Sequence, residues 1–164
     1  MVRKINSVMR IANFPCMKTK IRKAIVDDVK DIAALSAQLG YIISTDATSK
    51  NLQTISQNPN EMICVAVYEQ KVVGWIHVFL AVRIESSSFC EIGGLVVDEQ
   101  YRRMGIAKQL IDHIKPWCAG KETNILRVRS NVKRSDAHQF YIQSGFGEVK
   151  QQKVFEIELA SGNR

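Results

Sequence analysis

A chain of 164 residues, 46% apolar and 24% charged, has the composition of one ordinary folded domain and not of a disordered segment. No apolar run approaches the roughly 18 residues of a bilayer-spanning helix, and the longest, "VVGWIHVFLAV", fits a strand. The formal charge of +7 comes from residues 1–26, which hold seven basic and no acidic groups and leave sixteen of each sign in 27–164. A nucleic-acid footprint should cover a folded face, so neither nucleic acid nor membrane is an expected partner.

Residues 1–16, "MVRKINSVMRIANFPC", are acid-free, and Arg10 breaks the apolar core that a signal peptide needs. They are expected to form a flexible extension, or to precede a natural start at Met17, with a single domain over 17–164. From there the chain alternates readable elements. "TKIRKAI" (19–25) is a strand. "DDVKDIAALSAQLG" is a helix capped by Asp27 or Asp28 and stopped by Gly40. Residues 41–60 are polar, a loop with a second short helix. "EMICVAVYE" and "KVVGWIHVFLAVR" make a hairpin turning at Gln70-Lys71, "RIESSS" a loop, and "FCEIGGLVV" the next strand.

A helix follows, with Ile106, Leu110, Ile114 and Trp117 as its apolar stripe and Pro116 as its end or kink. "NILRVRS" (124–130) is a strand, and "SDAHQFYIQSG" (135–145) a helix capped by Ser135. "FGEVKQQKVFEIEL" supplies two final strands. This order gives one α/β domain with a mixed sheet and many hairpins. Cys16, Cys64, Cys90 and Cys118 show no CxxC spacing, which fits buried thiols in a reducing cytoplasm. His77, His113 and His138 lie far apart, so no metal is expected.

The stretch "DEQYRRMGIAKQL" (98–110) sets Arg102 and Arg103 against Gly105 where the amphipathic helix begins. A helix N-terminus offers unpaired N–H groups and about half a positive charge. Gly105 lets the backbone approach a ligand closely, and the arginines add charge-assisted bonds to phosphate oxygens. Neither the dinucleotide nor the Walker glycine pattern is present. The stretch by itself says only that an anion fits there.

Its context says more. "EIGGLVVDEQYRRMGIAKQLI", followed by "NVKRSDAHQFYIQSGF", resembles the GNAT superfamily of acyl-CoA-dependent N-acetyltransferases. That family's signature (Q/R)-x-x-G-x-(G/A) is matched by Arg102, Gly105 and Ala107, after a strand ending in Leu95-Val96-Val97. A second string, F-Y-x-x-x-G-F, is matched by Phe140, Tyr141, Gly145 and Phe146. The resemblance spans about residues 19–158. It departs at Arg103, where many members carry glycine.

The resemblance implies a GNAT-like, mostly antiparallel mixed sheet, splayed between its fourth and fifth strands, with helices on both faces. It implies acetyl-CoA as acyl donor, with pyrophosphate at Arg102, Arg103, Met104, Gly105, Ile106 and Ala107. The pantetheine arm would pair with Leu95, Val96 and Val97, and Asn131 would contact it or else cap its own loop. Gly93-Gly94 fits a bulge that bends this strand. A homodimer paired through the last strands is allowed by the resemblance and not compelled by it.

Acetyl transfer to an amine needs a neutral amine, a polarised thioester carbonyl and a proton for the departing thiolate. An alkylamine with pKa of about 10.4 is charged near neutral pH and needs a base. The resemblance makes Tyr141 the general acid, and its reference pKa of about 10 suits a thiolate of similar basicity. Glu91, on the face of Gly93 and Leu95, is the candidate base, directly or through a water, with Glu85 in reserve. A backbone N–H near Val96 would hold the carbonyl oxygen. No histidine is placed to activate Cys90, which is read as a structural thiol. His77, sharing a face with Trp75 and Phe79, is read as a packed histidine.

The expected function is acetyl transfer to a primary amine of a small molecule by direct attack in a ternary complex. Acetylation of a protein lysine or N-terminus and a non-catalytic CoA-binding module are the alternatives. A polycationic acceptor would favour a strongly acidic wall, and only Asp46, Glu61, Glu85 and Glu91 are candidates for one.

Overall fold

A computed structural model describes residues 18–159, and extension 1–16 lies outside the described residues. Five strands form one sheet in sequential order: β1 (Lys20–Lys23), β2 (Glu61–Tyr68), β3 (Lys71–Arg83), β4 (Ser86–Val97) and β5 (Leu126–Val128). The first four are antiparallel, and β5 runs parallel to β4. The expected mixed, mostly antiparallel sheet is therefore present. The described chain divides after Arg129 into two units.

In the first unit, α1 (Val29–Ala37) buries Ile32 and Leu35 against Val65, Val72 and Val96 on one face of the sheet. The helix α3 (Ile106–Ala119) covers the other face, where a Cβ on Gly74 would touch Leu110. Both faces of β2 are thus covered, and its Cys64, Val65 and Ala66 are fully buried. This is why it reads as a continuous apolar run and not as an alternation. On α3 the buried stripe is Ile106, Leu110, Ile111, Ile114 and Cys118, each large aliphatic contributing about 1.5–3 kcal/mol. Trp117, expected in that stripe, is only half-buried, because the helix continues beyond Pro116 and brings Cys118 inward. Pro116 forgoes one backbone bond on an exposed side, which the helix tolerates.

The polar stretch 41–60 contains a full helix, α2 (Thr45–Gln57), whose Ala47 N–H donates to Ser44 Oγ at 3.2 Å. The β2–β3 hairpin turns at Glu69-Gln70, one residue before the expected place. Both residues take positive φ (46° and 67°) without a glycine. "RIESSS" is mostly strand: β3 runs to Arg83 and β4 starts at Ser86, leaving Ile84-Glu85 as the turn. Residues 147–159 form no strand, contrary to their alternating pattern, and Val154, Phe155, Ile157 and Leu159 are exposed. A strand is held by its partners, and no described strand pairs with this segment. No described helix is long and apolar enough to cross a membrane.

The entry to α1 is fixed by charge. Arg22 Nη1 and Nη2 donate to Asp28 Oδ2 and Oδ1 at 2.6 and 2.7 Å, and Ile25 N–H donates to Oδ2 at 2.8 Å. Burial alone would raise the Asp28 pKa, but Arg22 and the Ile25 amide offset it and hold the carboxyl below its usual value. Depressed in the fold, this group stabilises above its unfolded pKa of about 3.9 and loses that contribution as pH falls through the folded value. Asp28→Asn is expected to cost about 2 kcal/mol at pH 7. Melting temperatures of variant and wild type should converge as the pH is lowered below about 4. A gap independent of pH in calorimetry would contradict the ion pair.

Candidate active site

The site begins with two glycines on β4. Register between β3 and β4 shifts at His77/Val78: Gly94 pairs with His77 and Ile92 with Val78, leaving Gly93 as the extra residue of a bulge. Side chains across the strand lie directly on this backbone. A Cβ on Gly94 would stand 2.5 Å from Trp75 Cη2, and one on Gly93 would stand 3.0 Å from His77 Nδ1. Any side chain at Gly94 would therefore collide with an indole. The Trp75 Nε1–H is buried with no acceptor among the described residues.

Beyond the bulge the sheet opens. Pairing of β4 with β5 covers only Cys90–Ile92 against Leu126–Val128. From Gly93 to Val97, no described strand occupies the edge of β4 that faces away from β3. This edge, carrying Leu95, Val96 and Val97, keeps backbone donors and acceptors that an extended ligand can pair with. It is the splay expected between the fourth and fifth strands.

At the end of β4 the chain turns sharply. Asp98 is buried, accepts from the Gln100 N–H at 3.1 Å and takes the Lys71 ammonium at 3.2 Å. Burial pushes its pKa up, but these partners more than compensate and hold the carboxyl below its ordinary value. The Lys71 ammonium also lies 5.4 Å from the Tyr101 ring centroid, bracing the turn. Arg102 is exposed, with Nε 3.4 Å from the Val97 carbonyl. Gly105 caps α3 with φ 77° and ψ 3°. Arg103 adopts φ 62°, the left-handed region that glycine occupies without strain. That explains why glycine suits this position. Ile106 anchors the helix start in the core, and the Gln109 N–H donates to the Gly105 carbonyl at 3.1 Å to close the first turn.

Glu91 is buried on β4, and Arg129 holds both its oxygens: Nε lies 3.0 Å from Oε1, and Nη2 donates to Oε2 at 3.2 Å. Cys90, one residue earlier, faces α3, is fully buried and bonds the Cys118 thiol, whose pKa burial pushes up to about 12. Glu85 is an exposed turn residue 3.9 Å from Arg83. The sequence reading missed a second acidic contact: His77 Nε2 lies 2.9 Å from Glu61 Oε2. Its signal was the β2–β3 register, in which Glu61 pairs with Phe79, two residues from His77.

The second unit holds the remaining expected residues. Asn131 Oδ1 accepts from the Lys133 N–H at 2.9 Å, and the Asn131 carbonyl accepts from the Arg134 N–H at 2.9 Å, so this residue builds its own loop. The helix α4 (Ser135–Gln143) is preceded by Arg134 in the cap position, with Ser135 as its first residue and not its cap. Tyr141 has ring neighbours Phe140 and Phe146, with centroids at 5.3 and 5.6 Å. Burial raises its pKa, against a smaller opposite pull from Arg134. Among the described residues, no group of three or more His, Cys, Asp or Glu is arranged to hold a metal ion.

Comparison with known proteins adds three kinds of likeness. A family model described as "Acetyltransferase (GNAT) family" matches residues 27–146. The aminoalkylphosphonate N-acetyltransferase of Salmonella typhimurium is 26% identical over 133 residues, covering 77% of this chain and 84% of that protein. Among solved structures, aminoglycoside N-acetyltransferase AAC(6')-Iy in complex with CoA superposes with a TM-score of 0.77 at 19% identity, covering 87% of this chain and 96% of that one. The aminoglycoside 6'-N-acetyltransferase AAC(6')-Ih from Acinetobacter baumannii gives 0.77 at 16%, covering 87% and 100%. At such identities these two structures establish the fold alone.

Proposed function

Because the chain belongs to the GNAT acetyltransferase family and is an acetyl-CoA-dependent N-acetyltransferase, we propose that its acceptor is the primary amine of a small molecule, acetylated by direct attack in a ternary complex. The observation that carries this reading is the opened edge of β4, beginning at the glycine bulge and running into the left-handed Gly105 turn. An extended chain with a phosphate at one end suits such a path. A Cβ at Gly105 would be strained in its backbone conformation, and the N–H groups of Ile106 and Ala107 beyond it suit phosphate oxygens.

In the proposed mechanism acetyl-CoA, when bound, supplies the activated acetyl thioester. Backbone groups of Leu95, Val96 and Val97 align the arm, and an N–H near Val96 accommodates charge on the acetyl oxygen. Residues Arg102, Arg103, Met104, Gly105, Ile106 and Ala107 form the pyrophosphate turn, and Asn131 supports the arm by shaping its loop. Tyr141 gives the departing sulfur a proton, and its raised pKa keeps the phenol protonated at neutral pH. Glu91 keeps a buried negative charge beside the bulge, balanced by Arg129. The acceptors named for the relatives, an aminoalkylphosphonate and aminoglycosides, are small amines of very different charge, which supports the small-molecule class.

Two measurements test the reading together. Acetyl-CoA at about 100 times its Kd should stabilise the protein by roughly 2.7 kcal/mol, seen as a higher melting temperature. A panel of small amines and peptides, followed by CoA release, should show turnover with small amines. Faster turnover with peptides would replace the small-molecule acceptor with a protein one, and tight binding without release would leave a binding module.

A further inference from the structure

The carboxylate expected to act as base is occupied, and a second ionisable pair lies nearer the bulge. His77 projects from β3 on the same face as Trp75, Phe79 and Glu91, and its side chain is 21% exposed. An ionised carboxylate only accepts hydrogen bonds, so Glu61, at 2.9 Å, places the imidazole hydrogen on Nε2. The lone pair is then on Nδ1. That atom is the one lying 3.0 Å from where a Cβ of Gly93 would stand, directly over the bulge backbone. A carboxylate that fixes the tautomer and offsets the charge of a protonating imidazole is the arrangement a general base needs.

We infer that His77, oriented by Glu61, accepts the proton from the acceptor amine. This rests on the proposed N-acetyltransfer at the bulge. As the amine nitrogen bonds to the acetyl carbon, its hydrogen passes to His77 Nδ1. The carbon–sulfur bond breaks with its electron pair on sulfur, and the sulfur takes the Tyr141 proton. Solvent then exchanges a proton away from His77 and returns one to Tyr141. Other charged groups on this face of the sheet include Glu91, held by Arg129 on both oxygens, and Arg127 and Arg83, whose guanidinium groups lie 3.9 and 5.4 Å from the Phe89 ring centroid. The guanidinium groups have no lone pair to offer, and the charge of the Glu91 carboxylate is already balanced by Arg129. Gly93 is needed because the imidazole occupies the space of its side chain.

The test compares the full-length wild type with His77→Gln and Glu61→Gln, using the best amine of the acceptor panel. His77→Gln should lower kcat about 50-fold, leave KM for acetyl-CoA within twofold, and keep the thermal shift given by acetyl-CoA. The acidic limb of the wild-type kcat/KM profile should disappear, replaced by a steady rise toward the pKa of the amine. Glu61→Gln, which keeps the imidazole and its packing, should lower kcat about tenfold and move that limb. This second variant decides the matter should His77→Gln fail to fold. Unchanged kcat and an unchanged acidic limb in either folded variant overturn the role of His77 while leaving N-acetyltransfer intact. A wild type that releases no CoA with any amine overturns both.

Discussion

Tyr141→Phe is expected to lower kcat about a thousandfold, within the range of a lost general acid, while acetyl-CoA affinity and melting temperature stay near wild type. The reason is that the substitution deletes one oxygen and keeps the ring. Its neighbours Phe140 and Phe146 touch the ring faces and edge, and those contacts survive in phenylalanine. What disappears is the proton for the leaving sulfur. A thiolate, its basicity similar to that of a phenolate, is still a far better leaving group than an alkoxide, so turnover falls without vanishing. Burial raises the phenol pKa in the fold. In the wild type, therefore, activity lost through ionisation of Tyr141 should fall away only as pH rises above about 10, and the variant should lack that limb. Full kcat in Tyr141→Phe would reduce this residue to packing.

Local chemistry made much of this site legible in the sequence. The start of α3 is a matter of neighbouring residues: a glycine just before a stripe of aliphatics, of which Ile106, Leu110 and Ile114 are buried as read, while Cys118 takes the place expected of Trp117. The Gly93-Gly94 bulge was legible for the same reason, since two glycines inside an apolar strand need a close approach, and Trp75 and His77 supply it. Pairings that depend on register were not legible. Which residue meets Arg129 follows from the register of β4 with β5, and which carboxylate meets His77 from that of β2 with β3. A one-residue slip sends a side chain to the opposite face, so face assignments near a bulge cannot be made by counting alternate residues. The hairpin at Glu69-Gln70 was displaced by one residue because neither residue carries a turn signature. In residues 147–159 the alternation is real, but pattern alone does not supply a neighbouring strand.

Gly105→Val should weaken acetyl-CoA binding about 100-fold, close to 3 kcal/mol, read by titration calorimetry or by loss of the thermal shift. Two effects combine. Gly105 has φ 77°, where an L residue costs about 1–2 kcal/mol and a β-branched one is least welcome. That strain lowers the stability of free and bound protein alike, and the affinity is lost because the branched side chain keeps phosphate oxygens from the N–H groups at the start of α3. Arg103 allows the two effects to be separated. It already carries the strain of a positive φ, so Arg103→Gly should stabilise the free protein by about 0.5–1 kcal/mol. The same change removes a cation from the turn and should weaken acetyl-CoA several-fold. Stability and affinity then move in opposite directions at Arg103 and in the same direction at Gly105. If Arg103→Gly raised stability with no loss of affinity, its guanidinium would be a solvated surface group, and the pyrophosphate would be held by Arg102 and the helix backbone. If both substitutions left affinity unchanged, the pyrophosphate would not lie on this turn at all.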